Sequence, residues 1–401
     1  MMQWFRRQNP MLPNSMTEQE AWLDAFKSHW HQAFLVIVSS GGGGTPNGSG
    51  SDDDVGPIIL PDNIVTVFSH LDQMVLLLVS EINTQSCEPS LGPIMDYLFT
   101  ENILGKILDW SLSAGQYTEA CKLNLLKLFE SLIAQTHHSL LVHKPVLLPL
   151  LRLLESASTN PPSETEKHLV LLLNQICVSI SQEATLIEFF FNQVTDDGPP
   201  QFTAFTLLIP YLYHDGNIGQ LARDALLLIL SVSRKVEPVA RFIADHSNFC
   251  PVLATGLSGL FSMLPRKLSQ TADDWCRIVP ANLDAYDEIQ TFYSSLEFIN
   301  AVVQVAHQFV QQQLLDYIYQ GFLEPVLGSA LHQSSLDEVV ASTAYLQLFF
   351  ETVTEPSLMK VCMRFILTER VDSVPILESL VTRISSNSRV SLINCVFIDF
   401  V

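Results

Sequence analysis

Residues 219 to 233 read GQLARDALLLILSVS, and the part from Ala222 to Ser233 decides the fold class. Five apolar residues in a row, Leu226 to Leu230, cover more than one face of a helix at 3.6 residues per turn. Such a helix needs neighbours on two sides, and stacked helix pairs supply both. The same reading extends in both directions. Trp22, Phe26, Trp30, Ala33 and Ile37 recur three or four apart, a single apolar stripe. From Pro61 to Ile384 the periodicity predicts about fourteen helices joined mostly by short turns, which favours antiparallel neighbours. Strand signals are scarce, and no ankyrin or tetratricopeptide consensus repeats. The expectation is an all-α, irregular HEAT-like α-solenoid of antiparallel helix pairs over residues 17–392, with a globular all-α domain as the alternative.

Local signals punctuate the array. Thr17 to Glu20, Ser163 to Glu166 and Ser335 to Glu338 each have the spacing of a capping box, in which a hydroxyl and a carboxylate satisfy backbone N–H groups at a helix start. Pro145, Pro238, Pro251, Pro356 and Pro375 suit helix entry, where a missing N–H costs nothing, and Gly115 and Gly321 suit C-terminal caps. Residues 1–16 read as a tail. SSGGGGTPNGSGSDDDVGP (39–57) reads as a flexible insertion, STNPPSE (158–164) as a short connection, and 265–288 as a long loop.

Composition excludes several function classes. The 401 residues carry 21 Lys plus Arg against 42 Asp plus Glu, a net charge of −21 and a pI near 4.7. That balance opposes binding to nucleic-acid phosphates and to anionic lipid. Charged residues are 16%, AVILMFWYC residues 48% and mean hydropathy +0.25, which excludes disorder throughout. No segment reads as a membrane span: Ser247 to Pro265 and Phe298 to Leu315, the nearest candidates, read as core helices, so no direct insertion is expected. The seven cysteines (Cys87, Cys121, Cys177, Cys250, Cys276, Cys362 and Cys395) are odd in number and scattered without a Cys-x-x-Cys, which points to free thiols in a reducing, cytosolic setting. The first residues carry two arginines but no apolar core of a secretory signal.

Chemistry is sparse. Gly41 to Gly44 are followed by Asp52, Asp53 and Asp54 and by no Gly-Lys-Ser/Thr, so a flexible linker is favoured over a phosphate loop, and the triple Asp lacks the other oxygens of a calcium loop. His29 with His31, the group His137, His138 and His143, and His246 four residues before Cys250 are at best two-ligand matches, short of the three or four donors zinc needs. No hydrolase, zincin or dinucleotide motif is present, so neither a catalytic residue nor a cofactor is assigned. Partner-binding candidates lie in the 265–288 loop. Trp275 is an aromatic residue among polar ones, suited either to anchor a partner or to plug a helix groove. Arg266 and Lys267 form a cationic spot suited to an acidic partner or to solvent.

Beyond these patterns, long irregular strings carry a resemblance. GQLARDALLLILSVS (219–233), RFIADHSNFCPVLATGLSGLFSMLPRKL (241–268) and the stretch from SSLEFINAVV at 294 to FFETVTEPSL at 358 are similar to the Hook-interacting proteins, the FHIP subunits of the FTS/Hook/FHIP complex. FKSHWHQ near 26, LLLNQICVSISQEATLIEFFF near 171 and RISSNSRVSL ending at 392 extend it more weakly. The resemblance implies a non-enzymatic α-solenoid scaffold whose partners are Hook-family adaptors, the FTS protein and a Rab GTPase. Through them it would link dynein and dynactin to endosomes or other vesicles, from the cytoplasmic side. It assigns no contact residue. The family continues past the point where this chain ends in INCVFIDFV (393–401), which implies an alternative or truncated ending, cut mid-array with apolar faces uncovered. A form competing with the complete adaptor, and a cryptic hydrolase or transferase, are the alternatives.

Overall fold

A computed structural model describes residues 18–41, 59–84, 92–136, 140–156, 161–192, 200–268, 278 and 286–386. The class is all-α and solenoid-like, with one two-stranded hairpin among the described residues. The described chain forms two compact units, one reaching to Phe191 together with Phe202–Ala204, the other comprising Asn192–Gln201 and the residues from Phe205 onward.

In the first unit, helices meet near neighbours in sequence. Glu18–Gly41 packs on Pro61–Thr84, Pro61–Thr84 on Thr118–Thr136, and Thr118–Thr136 on Ser163–Gln182, while Ile103–Leu112 packs on Lys144–Glu155. The predicted stripe Trp22, Phe26, Trp30, Ala33 and Ile37 is buried throughout. Trp110 Nε1 donates to Ser40 Oγ at 3.0 Å, which satisfies the one polar atom of a buried indole. Pro61–Thr84 corrects the expectation about membrane spans, since it is long and apolar enough to cross a bilayer by length and composition. Half of its apolar window is buried, with Ile64, Val67, Phe68, Leu71, Met74, Val75 and Leu78 among its core residues. Glu81, at the end of this helix, is 1% exposed and accepts from the N–H groups of Ile94 (2.8 Å) and Met95 (3.0 Å), the free donors at the start of Pro93–Thr100. A carboxylate from another element thus does the capping that no side chain of the short helix provides.

In the second unit, Gly216–Ser233 packs on Asp287–Val305, which in turn meets Leu336–Thr352, and Phe249–Met263 packs on Asp287–Val305, on Gln308–Ile318 and on the wide π-helical stretch Tyr319–Leu327. Every residue from Val339 to Phe350 is buried, so this helix has protein on all sides. The Ser342 and Thr343 hydroxyls donate to Val339 O and Gln347 Nε2 to Glu351, while Gln347 Oε1 is buried without a partner. Phe261, Phe292, Phe322 and Phe349 form a continuous aromatic cluster with ring centroids 5.5 to 6.5 Å apart.

Several local expectations are corrected. Ser163 is the first helical residue and Pro162 the N-cap; Ser335 is an N-cap without a side-chain bond, and the Glu338 carboxylate meets Arg266. Gly321 caps nothing; it lies inside the π-helical run that contains Pro325. The Ser258 hydroxyl lies 2.9 Å from its carbonyl and equally 2.9 Å from Ala254 O. The helix starting at Glu18 runs to Gly41, past the expected loop start at 39, and Asp287 opens a helix inside the expected 265–288 loop. Thr17, the tail 1–16, most of 39–57 and residues 393–401 lie outside the described residues.

Candidate functional site

Arg266 and Lys267 are placed by the end of Phe249–Met263. Leu264 leaves that helix extended, and the buried-side hydroxyl of Tyr345 donates to Pro265 O at 2.7 Å, which fixes the exit path. Burial, with Tyr286 and Glu288 nearby, pushes the Tyr345 phenol well above its ordinary value, so it is a permanent donor here. The two cations therefore lie over the first turn of Leu336–Thr352. Arg266 Nη1 is 3.3 Å from Glu338 Oε1, and Lys267 Nζ is 2.7 Å from Asp337 Oδ2. Their side chains stay 84% and 69% exposed. Pairs this open contribute about 0–1 kcal/mol each, so they orient the cations without consuming them. Of the sequence candidates, the structure brings Arg266 and Lys267 together. Trp275 lies outside the described residues.

A groove of about 370 Å³ opens beside Arg266. Its floor is apolar, with Phe261, Leu264, Val326, Ala341 and Tyr345, and its polar edge includes Ser329, Gln333 and the Arg266–Glu338 pair. Pro325 and Val326 of the π-helical stretch form one wall. A π-helix is wider than an α-helix and often marks a functional position. The sequence signals Pro325 but not the widened turn. Met263, next to the lining residues Ser262 and Leu264, is 67% exposed, an adaptable apolar side chain offered to solvent.

A second cavity of about 180 Å³ is lined by Tyr213, Arg223 and Ser295 among others. Tyr213 Oη donates to Leu253 O at 2.8 Å, and burial pushes its phenol up to about 12. Arg223 donates to Leu212 O at 2.9 Å and to Gln220 at 3.1 Å. These bonds tie neighbouring segments together and provide no activated nucleophile.

The remaining titratable groups divide in the same way. Cys121, Cys177, Cys250 and Cys362 are buried free thiols, and burial pushes Cys121 up to about 11, Cys250 up to about 12 and the other two higher still. They are protonated and unreactive at neutral pH. His29 meets His70 rather than His31, with Nδ1 atoms 3.1 Å apart, and His246 is exposed. Ser379 Oγ lies 3.1 Å from His332 Nε2, the spacing of a nucleophile and base, but His332 Nδ1 is buried without the orienting acid that such a pair requires. No group of three or more metal-ligating side chains occurs among the described residues.

The described residues thus form an all-α, solenoid-like chain with an apolar groove edged by a paired cation and carboxylate. Residues 94–398 match the RAI16-like family, described as retinoic acid induced 16-like protein, and the chain belongs to that family. Its curated relatives carry the FHIP name. The chain is 43% identical over 98% of its length to FHF complex subunit HOOK-interacting protein 1B of Danio rerio, and 41% identical over 94% of its length to the protein of that name from Homo sapiens. It is 39% identical over 95% of its length to an FHIP family protein of Drosophila melanogaster. The chain spans 35% to 38% of the length of these three relatives.

Proposed function

We propose that this protein is a non-enzymatic adaptor subunit that binds Hook-family proteins. The observation that carries the reading is the identity of 41% to 43%, spread over nearly the whole chain, with proteins named as HOOK-interacting subunits of an FHF complex. The physical design supports it. Stacked helices bury their apolar stripes against each other and leave broad outer surfaces, which suits a scaffold that holds several partners at once. In the full reading the chain joins Hook to FTS and links both, with dynein and dynactin, to Rab-marked endosomes or vesicles, residing in the cytoplasm and meeting membranes only through partners. Affinity capture of the whole chain from cells, followed by binding assays with purified Hook, FTS and GTP-loaded Rab proteins in turn, tests each link. Recovery of Hook and FTS supports the reading, and the absence of Hook from every capture overturns it.

A further inference from the structure

The helix Ile376–Ser386 carries apolar residues on two adjoining faces. Ile376 and Leu380, four apart, are fully buried. Leu377 and Val381, also four apart and so on one face, remain 37% and 47% exposed. The main packing partners of this helix are Pro356–Thr368 and the hairpin strand Val374–Pro375, and with both in place Leu377 and Val381 are still open. A helix with two apolar faces needs a neighbour on each. We propose that the second neighbour is this chain's own stretch 392–401, which turns back after the helix and runs along Leu377 and Val381.

Three observations select this occupant. The stretch lies outside the described residues, and its sequence, LINCVFIDFV, is apolar at eight of ten positions, with Asn394 and Asp399 the exceptions. Water disfavours such a run, so it gains by covering any apolar surface within its reach. The link from the helix, Asn387 to Ser391 (NSRVS), holds one apolar residue, and its Asn and Ser suit a reversal of the chain. Five residues span at most about 16–18 Å. At 1.5 Å per residue, Val381 and Leu377 lie only about 8 and 14 Å back along the axis from Ser386, inside that span. The RAI16-like match, finally, runs to residue 398 and takes in Leu392 to Ile398, as expected of a segment that packs with the domain.

Cys395 sits within the stretch and reports its burial, because a thiol reacts only where reagent reaches it. In the folded 401-residue chain, iodoacetamide is expected to label Cys395 at least about ten-fold more slowly than in urea. Leu377→Asp and Val381→Asp should each restore most of that rate, while Val65→Asp, at a 69% exposed position of Pro61–Thr84, should not. In Val381→Cys, a short bismaleimide should join the new thiol to Cys395 within one chain, as read by mass spectrometry of the monomer. Far-UV circular dichroism and melting confirm that the variants are folded. Labelling of Cys395 at the urea rate in the folded wild type overturns the inference. So does protection that neither folded Asp variant removes, or that Val65→Asp removes equally. Absence of the cross-link in folded Val381→Cys overturns it even where both Asp variants at the face fail to fold. Protection lost on dilution, or a cross-link formed only between chains, gives the face to a second copy and also overturns it.

Discussion

Gly256 gives the sharpest test of how the second unit is packed. A Cβ at this position would lie 2.0 Å from Tyr213 Cε2, 2.1 Å from Cζ and 2.5 Å from the hydroxyl, where carbon atoms in contact normally stand about 3.5–4.0 Å apart. The ring cannot step aside freely, because its hydroxyl is bonded to Leu253 O at 2.8 Å. Gly256→Ala gains about 1 kcal/mol of helix propensity. Against this stand about 1–3 kcal/mol for overpacking and about 1 kcal/mol for the strained or lost hydrogen bond. The net expectation is a destabilisation of about 1–3 kcal/mol. Gly259, one turn on in the same helix, is the control, since a Cβ there meets nothing within 4 Å. Gly259→Ala is expected to stabilise by about 0.5–1 kcal/mol. Urea unfolding followed by circular dichroism at 222 nm measures both. If Gly256→Ala shifts the midpoint upward as Gly259→Ala does, the packing of Tyr213 against this helix is refuted.

Glu81→Ala leaves the Ile94 and Met95 N–H groups without their carboxylate and is expected to cost about 2–4 kcal/mol in urea unfolding, with Glu81→Gln intermediate. Ser258→Ala removes a hydroxyl shared between Gly321 O and Ala254 O and should cost about 0.5–1.5 kcal/mol in the same assay. Burial, then the neighbouring His70, holds the His29 imidazole below its ordinary value, so the unfolded chain binds a proton more readily than the fold. Stability is therefore full above about pH 6.5 and falls as the pH drops through that value toward the lower pKa of the folded state; His29→Gln should flatten this slope between pH 7.5 and 5.5. Iodoacetamide mapping of the native protein should leave Cys121, Cys177, Cys250 and Cys362 unmodified and label all four in urea.

What the sequence shows of the fold follows from where the physics is local. The stripe from Trp22 to Ile37 is legible because helical spacing alone places those residues on one face, and the structure buries them all. The complete burial of Val339 to Phe350 is not legible, since Ser342, Thr343 and Gln347 interrupt the apolar residues and only the packed structure covers them. The capping boxes misled for two reasons: Ser163 is already inside its helix, with Pro162 as N-cap, and Glu338 had the spacing to reach back but meets Arg266, 72 residues away in the chain. The Arg370–Val371 and Val374–Pro375 hairpin was illegible for a different reason. Its two-residue turn uses Asp372 and Ser373 at φ 47° and 70°, a conformation usually signalled by Asn-Gly or Asp-Gly.

The candidate site was half legible on the same grounds. Arg266 and Lys267 stand out as cations in an acidic chain, but their neighbours do not, because the rest of the groove comes from segments far along the chain, Pro325 to Gln333 and Glu338 to Tyr345. Tyr345 shows how that assembly works. In the sequence it is one more residue of a buried run; in the fold its hydroxyl reaches Pro265 O, pins the exit of the preceding helix and so decides where Arg266 stands. The Gly321 carbonyl makes the same point on the opposite wall. Pro325 announces a disturbed helix, but only the packed structure shows the widened turn and the Ser258 hydroxyl that reaches Gly321 O from another helix. Local patterns supply the helices, and long-range polar bonds such as Tyr345 to Pro265 O set where their ends stand.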